Sequence, residues 1–150
     1  MLVYIGADHR GFPLKESLKK YLQENGYEAV DVGNKKLDPK DDYPDFASKV
    51  AKEVSLDPEH SRGIVICGSG VGVDVVANKY PNVRSALAAT PDQAMDSRND
   101  DDTNVLALAA NYLSEDEALK ITEVWLQTDF SEEERHWRRL GKIEKIEDKL

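Results

Sequence analysis

Five short apolar runs alternate with helical patterns along the chain, and this alternation constrains the fold more than any other feature. Leu2–Ala7, Ala29–Val32, Ile64–Ile66, Val83–Ala88 and Val105–Ala109 read as strands, being short, apolar and bounded by turn residues. After the first, Leu14, Leu18, Tyr21 and Leu22 repeat at helical spacing behind Pro13, and Gly26 supplies a C-cap. Pro44 opens a second helix to about Val54, and a third runs from Val73 to about Lys79. Thr90–Pro91–Asp92 joins an N-cap, an N1 proline and an early acid, which predicts a helix to about Asn99 and then an acidic turn at Asp100–Asp102. Ser114 with Glu117 makes a capping box for a helix to about Gln127. Ser131 with Glu134 reads as another, opening a C-terminal helical region with a break at Gly141. Such alternation requires a parallel sheet covered on both faces. With right-handed crossovers, the expectation is an α/β, doubly wound five-stranded parallel sheet of order 2-1-3-4-5 with an extra C-terminal helix.

At 150 residues the chain reads as one domain, 1–150. Its net charge of −9 excludes general nucleic-acid binding, which needs a cationic surface. No apolar run approaches the ~20 residues that cross a bilayer, and no secretory leader pattern opens the chain, so no membrane partner is expected. The single cysteine forms no internal disulfide and suits a reducing cytoplasm.

In the expected order, the chain reverses direction across the sheet between the first and third strands, where ligands bind beyond the carboxyl ends. The loops flanking that crevice are Asp8–Gly11 and Cys67–Gly72. The second is a glycine-rich turn between a strand and a helix N-terminus, a place that favours negative charge. Cys67 is then either a small buried hydrophobe at a strand end or a nucleophile or base beside an anion hole. Ser69 is either a helix N-cap or a hydroxyl donor to a reacting oxygen. His9 is either a second cation beside the crevice or a structural turn residue. Arg135, Arg138, Arg139 and Lys142 share one helical face, which fits a phosphate or a solvated face with intrahelical ion pairs.

Several chemistries lose a required residue. A dinucleotide fingerprint ends on Val73 or Val75 instead of glycine, and the Gly-Lys-Ser/Thr of a P-loop is absent. A cysteine phosphatase loop needs arginine at Val73, a phosphoacceptor needs aspartate at Cys67, and no His/Cys cluster has zinc spacing. What remains is a small anionic oxygen, as in a carbonyl becoming an enolate, or a phosphate.

Six segments carry a family resemblance: G-A-D-H-R-G-F with L-K at Gly6–Lys15, D-Y-P-D-F-A at Asp42–Ala47, and C-G-S-G-V-G with A-N-K at Cys67–Lys79 are the first three. V-R-S-A-L at Val83–Leu87, S-R…D-T-N-V-L at Ser97–Leu106, and R-H-x-x-R at Arg135–Arg139 complete the set. Together they resemble the type B ribose-5-phosphate isomerases, a family that also includes galactose-6-phosphate isomerase subunits. The resemblance implies aldose–ketose isomerisation through an enediolate, without metal or organic cofactor. It implies that Cys67 moves the proton between C1 and C2, that the loop Gly68, Ser69, Gly70, Val71 and Gly72 holds the enediolate, and that Asp8 binds sugar hydroxyls. His9, Arg135 and Arg139 would hold the phosphate, and Tyr43 would line the pocket. The family forms homodimers, sometimes tetramers, with sites at the subunit interface completed by the partner chain.

The sequence departs from the family's usual pattern where Asp100 and Asp101 replace a histidine and an asparagine assigned to ring opening and substrate holding. Asn111 replaces a phosphate-binding arginine. Asp100 is the candidate ring-opening base and Asp101 the candidate substrate ligand. Alternatives to a ribose 5-phosphate isomerase are an isomerase of a six-carbon sugar phosphate, such as allose or galactose 6-phosphate, and a non-catalytic sugar-phosphate-binding subunit.

Overall fold

A computed structural model describes residues 1–150, which form β1 (Leu2–Ala7), α1 (Phe12–Glu24), β2 (Glu28–Asp31), α2 (Tyr43–Leu56), β3 (Ser61–Cys67) and α3 (Val71–Ala77). β4 (Ser85–Leu87), α4 (Pro91–Asp101), β5 (Val105–Ala109), α5 (Glu115–Gln127) and α6 (Glu134–Glu147) complete the chain. All strand pairs are parallel, as the alternation demands.

The strand order is β2-β1-β3-β5-β4, so the expected order is corrected at one edge. β5 lies beside β3, with Gly63 opposite Val105 and Cys67 opposite Ala109, and β4 is outermost. Burial explains the exchange. Every residue of β5 is buried, as a strand covered on both faces requires, whereas β4 is three residues long and only partly buried.

Side chains alternate across the sheet and divide the core in two. Ile64, Ile66, Leu106 and Leu108 meet α1, α4 and α5 on one face, with Trp125 as the largest buried side chain. Val65, Cys67, Val105 and Ala107 meet α2 and α3 on the other. Cys67 therefore ends a buried strand with its side chain on the α2–α3 side.

The Ser114–Glu117 capping box forms as predicted, with the Glu117 amide donating to Ser114 Oγ at 3.1 Å and the Ser114 amide to Glu117 Oε2 at 2.7 Å. Ser114→Ala is expected to cost about 1 kcal/mol in chemical denaturation, with the site untouched. The second predicted box is absent. Glu133 is the N-cap of α6, and the Ser131 hydroxyl instead pairs with Nδ1 of buried His136 and accepts from the Glu133 amide. Phe130 packs edge-on against Trp137, which fixes the approach to the helix. α6 also runs through Gly141 without a break, because Gly141 lies in open space and costs the helix only about 1 kcal/mol.

α4 continues two residues past its expected end. Asp102 takes a φ of 45°, closing the helix, and its carboxylate joins Arg98 at 2.8 Å and Arg84 at 3.1 Å. The acidic stretch is therefore a helix end with its last carboxylate neutralised by two arginines. No helix is long and apolar enough to cross a membrane.

Candidate active site

The exchange of β4 and β5 leaves the predicted crevice in place, since the reversal between β1 and β3 is unchanged. These strands pair from Leu2↔Ser61 to Ala7↔Ile66, so the loops beyond them leave the sheet at one level. The Asp8 amide donates to the Ile66 carbonyl at 3.3 Å, holding the first loop against the end of β3. Asp8 is 5% exposed, and its Oδ1 accepts from the amides of Arg10 at 3.0 Å and Gly11 at 3.1 Å. That local turn occupies one oxygen and leaves Oδ2 without a protein donor.

Cys67 is 4% exposed, between the bulk of the core and the glycine loop. Backbone bonds of 2.9 Å from Ala110 to the Cys67 carbonyl, and from Asn111 to the Gly68 carbonyl, bring the loop after β5 alongside. Gly70 caps α3 with a φ of 75°, and a Cβ there would stand 2.5 Å from Leu87 Cδ1 and 3.0 Å from the Leu108 carbonyl carbon. Both the angle and the space require glycine. At Gly72, a Cβ would meet the Tyr43 ring at 2.6 Å, so the ring closes directly over the backbone.

α3 starts at Val71, two residues before its expected start, because this loop turns into helix immediately. No backbone carbonyl accepts from the amides of Ser69 or Gly70. These donors stand at a helix N-terminus, where developing negative charge on a bound oxygen is stabilised. Gly70, not Ser69, is the N-cap of α3, but Ser69 Oγ accepts from the Val71 amide at 3.3 Å and keeps its own proton to donate.

A cavity of about 440 Å³ opens over this loop. It brings together Asp8, Tyr43, Cys67, Gly68, Ser69, Val71 and Gly72, all singled out in the sequence. Gly70 lies beneath the loop, buried. Two further lining residues are Arg10 and Asn111. Arg10 stands inside the D-H-R-G-F segment, where a cation two residues after Asp8 is the available signal.

His9 stands beside the cavity, not among its lining residues. Its Nδ1 lies 2.8 Å from Asp41 Oδ1, its amide donates to the same oxygen at 2.8 Å, and Asn34 Nδ2 donates to Asp41 Oδ2 at 3.0 Å. The Asp41 hydrogen bond raises the pKa of His9 above the ordinary imidazole value, against a smaller lowering by desolvation, and the Asp8 charge adds to the rise. The imidazolium is thereby favoured, as a phosphate ligand needs. Asp41 gave no sequence signal, because the pair spans thirty-two positions with no periodic relation.

The other candidates lie apart from this cavity in the single chain. Asp100 and Asp101 occupy the last turn of α4, where Asp100 Oδ1 accepts from Asn99 Nδ2 at 2.7 Å and stands 3.6 Å from Nε2 of His136. Arg135 and Arg139 are on α6, with Arg135 paired to Glu133 at 2.8 Å and neighbouring Arg138 to Glu134 at 3.3 Å. A groove of about 570 Å³ lies under α6 beside the starts of β3 and β4, lined by Arg62, Arg84 and Trp137 among others. It holds neither a thiol nor a glycine loop.

A family model described as Ribose/Galactose Isomerase matches residues 3–143. The chain is 41% identical over 141 residues to a probable ribose-5-phosphate isomerase B of Mycoplasma pneumoniae, covering 94% of this chain and 91% of that one. Among solved structures, ribose-5-phosphate isomerase B of Mycoplasma genitalium with bound ribulose-5-phosphate superposes with a TM-score of 0.96 at 37% identity, covering 99% and 97% of the two chains. The enzyme of Clostridium thermocellum superposes with a TM-score of 0.94 at 42% identity, covering 99% of each.

Proposed function

Since the chain belongs to the ribose/galactose isomerase family, we propose that it interconverts ribose 5-phosphate and ribulose 5-phosphate, with residues 1–150 as one isomerase domain. The carrying observation is Cys67 at the end of β3, facing a cavity with free loop amides on one side and Asp8 on another. A phosphorylated sugar is the ligand class, as in the Mycoplasma genitalium complex with ribulose-5-phosphate.

In the open-chain aldose, the Cys67 thiolate takes the proton from C2. The electron pair becomes the C1–C2 double bond, and the carbonyl pair moves onto O1. Amides of the Gly68–Gly72 loop stabilise the resulting enediolate as its charge develops. A proton passes between O2 and O1, with the Ser69 hydroxyl as relay, and Cys67, whose proton exchanges with solvent while the enediolate persists, delivers a proton to C1. Asp8 Oδ2, without a protein donor, accepts from a sugar hydroxyl. Tyr43 walls the cavity, and His9, held by Asp41, faces the phosphate as a cation.

The site is completed across a homodimer, or within a tetramer built from it. Supporting this is the position of Arg135, Arg139, Asp100 and Asp101 away from their own chain's cavity. In the partner's cavity the two arginines bind phosphate, Asp100 opens the furanose ring and Asp101 holds the substrate. The unpaired cysteine supports a reducing, cytoplasmic setting.

Asn111 in the cavity wall favours a second reading, a six-carbon sugar phosphate as preferred substrate. Comparing kcat/KM of the purified protein for ribose 5-phosphate, allose 6-phosphate and galactose 6-phosphate decides between them. The pentose phosphate is expected to lead. A leading hexose phosphate would reassign the substrate, and no turnover of any aldose phosphate would leave a binding subunit.

A further inference from the structure

We propose that Arg10 is a phosphate-binding residue of the Cys67 cavity, supplying there a positive charge that Asn111 does not. The assignment rests on the isomerase reading for the identity of the sugar, but its electrostatics stand on the cavity itself. Arg10 is the only positively charged residue lining the cavity. Asp8 is the only negatively charged one, and a phosphate monoester entering beside a carboxylate needs a nearby cation.

Arg10 is not consumed by that carboxylate. It meets Asp8 through its backbone amide, 3.0 Å from Oδ1, and the Gly11 amide shares the same oxygen. The turn thus fixes the Arg10 backbone at the cavity while leaving its guanidinium for something else. In a chain with 29 acidic and 20 basic residues, an arginine without an acidic partner at a cavity edge is not the default outcome of charge pairing.

Gly68 shows where the side chain goes. A Cβ added at Gly68 would lie 2.7 Å from Arg10 Cδ and 2.7 Å from Asn111 Nδ2. The arginine stem and the asparagine amide therefore lie side by side over the first glycine of the loop, next to Cys67. The guanidinium offers a planar fork of donors suited to phosphate oxygens, and the Asn111 amide adds a neutral donor. A guanidinium on a stem from the β1 loop can thus serve the phosphate while the position after β5 carries an amide.

The test begins with calorimetry of inorganic phosphate binding to the full chain in its native oligomer, a readout that needs no turnover. Arg10→Gln keeps part of the stem and a polar head without the charge, and Arg10→Lys keeps the charge without the fork. Loss of a charge-assisted contact predicts that Arg10→Gln weakens phosphate binding about ten- to a hundredfold and raises KM for ribose 5-phosphate similarly. kcat should stay within about threefold, since the contact is made in ground and transition states alike, and Arg10→Lys should recover part of the affinity. Phosphate affinity within about twofold of the parent in Arg10→Gln, or no phosphate binding by the parent, overturns the assignment. Arg10-dependent phosphate binding without sugar isomerisation supports the assignment and counts only against the reaction proposed above.

Discussion

Cys67→Ala is expected to lower kcat for ribose 5-phosphate about a hundred- to ten-thousandfold, the range for losing a positioned acid/base. Sugar-phosphate affinity should change little, because the thiol is small, 4% exposed, and in the proposed reaction meets C1 and C2 and not the phosphate. The split between kcat and Kd separates an acid/base from a packing residue. As packing, Cys67 belongs to the cluster with Val65, Val73 and Ala107, and alanine there would cost stability without a selective loss of turnover. Thermal melting in parallel with steady-state kinetics and ligand titration distinguishes the two. Activity within about tenfold of the parent would remove Cys67 from the proton transfer.

The second large effect concerns the support of the first loop and falls on stability. Lys15 is fully buried on α1, and its ammonium donates to Asp31 Oδ2 at 2.7 Å and the Asn34 carbonyl at 2.6 Å. Lys19 lies 2.8 Å from the same Asp31 oxygen, and the Gly33 amide donates to Asp31 Oδ1 at 2.9 Å. Asn34 in turn binds Asp41, which holds His9. Asp31→Ala leaves a buried ammonium without its closest counter-charge, and removing one partner of such a pair costs about 3 kcal/mol or more. For a chain of this length that is a fall in Tm of about 10 °C. A double Lys15→Met, Asp31→Leu variant should recover much of the loss, since it removes both charges together. A fall below about 1 kcal/mol in Asp31→Ala would show the cluster to be energetically idle.

This cluster also sets a pH dependence. Burial raises the Asp31 pKa, but the Lys15 and Lys19 hydrogen bonds and the Gly33 amide outweigh it, so the carboxyl lies below the ordinary value of about 4. A lowered folded pKa contributes stability that is fully present above the unfolded value and lost as pH falls through the folded one. The parent should therefore lose this contribution on the acid side of pH 4, and Asp31→Ala should lack that part of the acid limb.

Legibility in the sequence followed the range of the interactions. Leu14, Leu18 and Leu22 of α1 and the Ser114–Glu117 box of α5 were readable because a helix is specified by residues three and four apart. The order of β4 and β5 is set by nonlocal pairing, so the shorter, less apolar β4 was the only hint. Ser131 matched a capping pattern, but buried His136 claimed its hydroxyl, a tertiary contact that overrode local preference. α4 outruns its expected end for a similar reason: Asp102 pairs with Arg84 on the β4 approach as well as with Arg98.

Of the site, the cavity floor was legible because two physical cues, a strand end and a glycine turn, lie in one short segment at Cys67–Gly72. The His9–Asp41 pair and the meeting of Arg10 with Asn111 over Gly68 join distant segments, which no local pattern exposes. Arg135 and Arg139 share a helical face as their spacing indicated, and in the single chain that face stands apart from the thiol.

The reaction proposed for this chain is isomerisation of a sugar phosphate by proton transfer through an enediolate at Cys67. Incubating the purified protein with ribose 5-phosphate in deuterium oxide and following C1 and C2 by NMR tests it directly. Ribulose 5-phosphate is expected to form and to carry solvent deuterium at C1, with both conversion and labelling collapsing in Cys67→Ala. Ketose formation with the original C2 hydrogen retained at C1, and undiminished in Cys67→Ala, would contradict it.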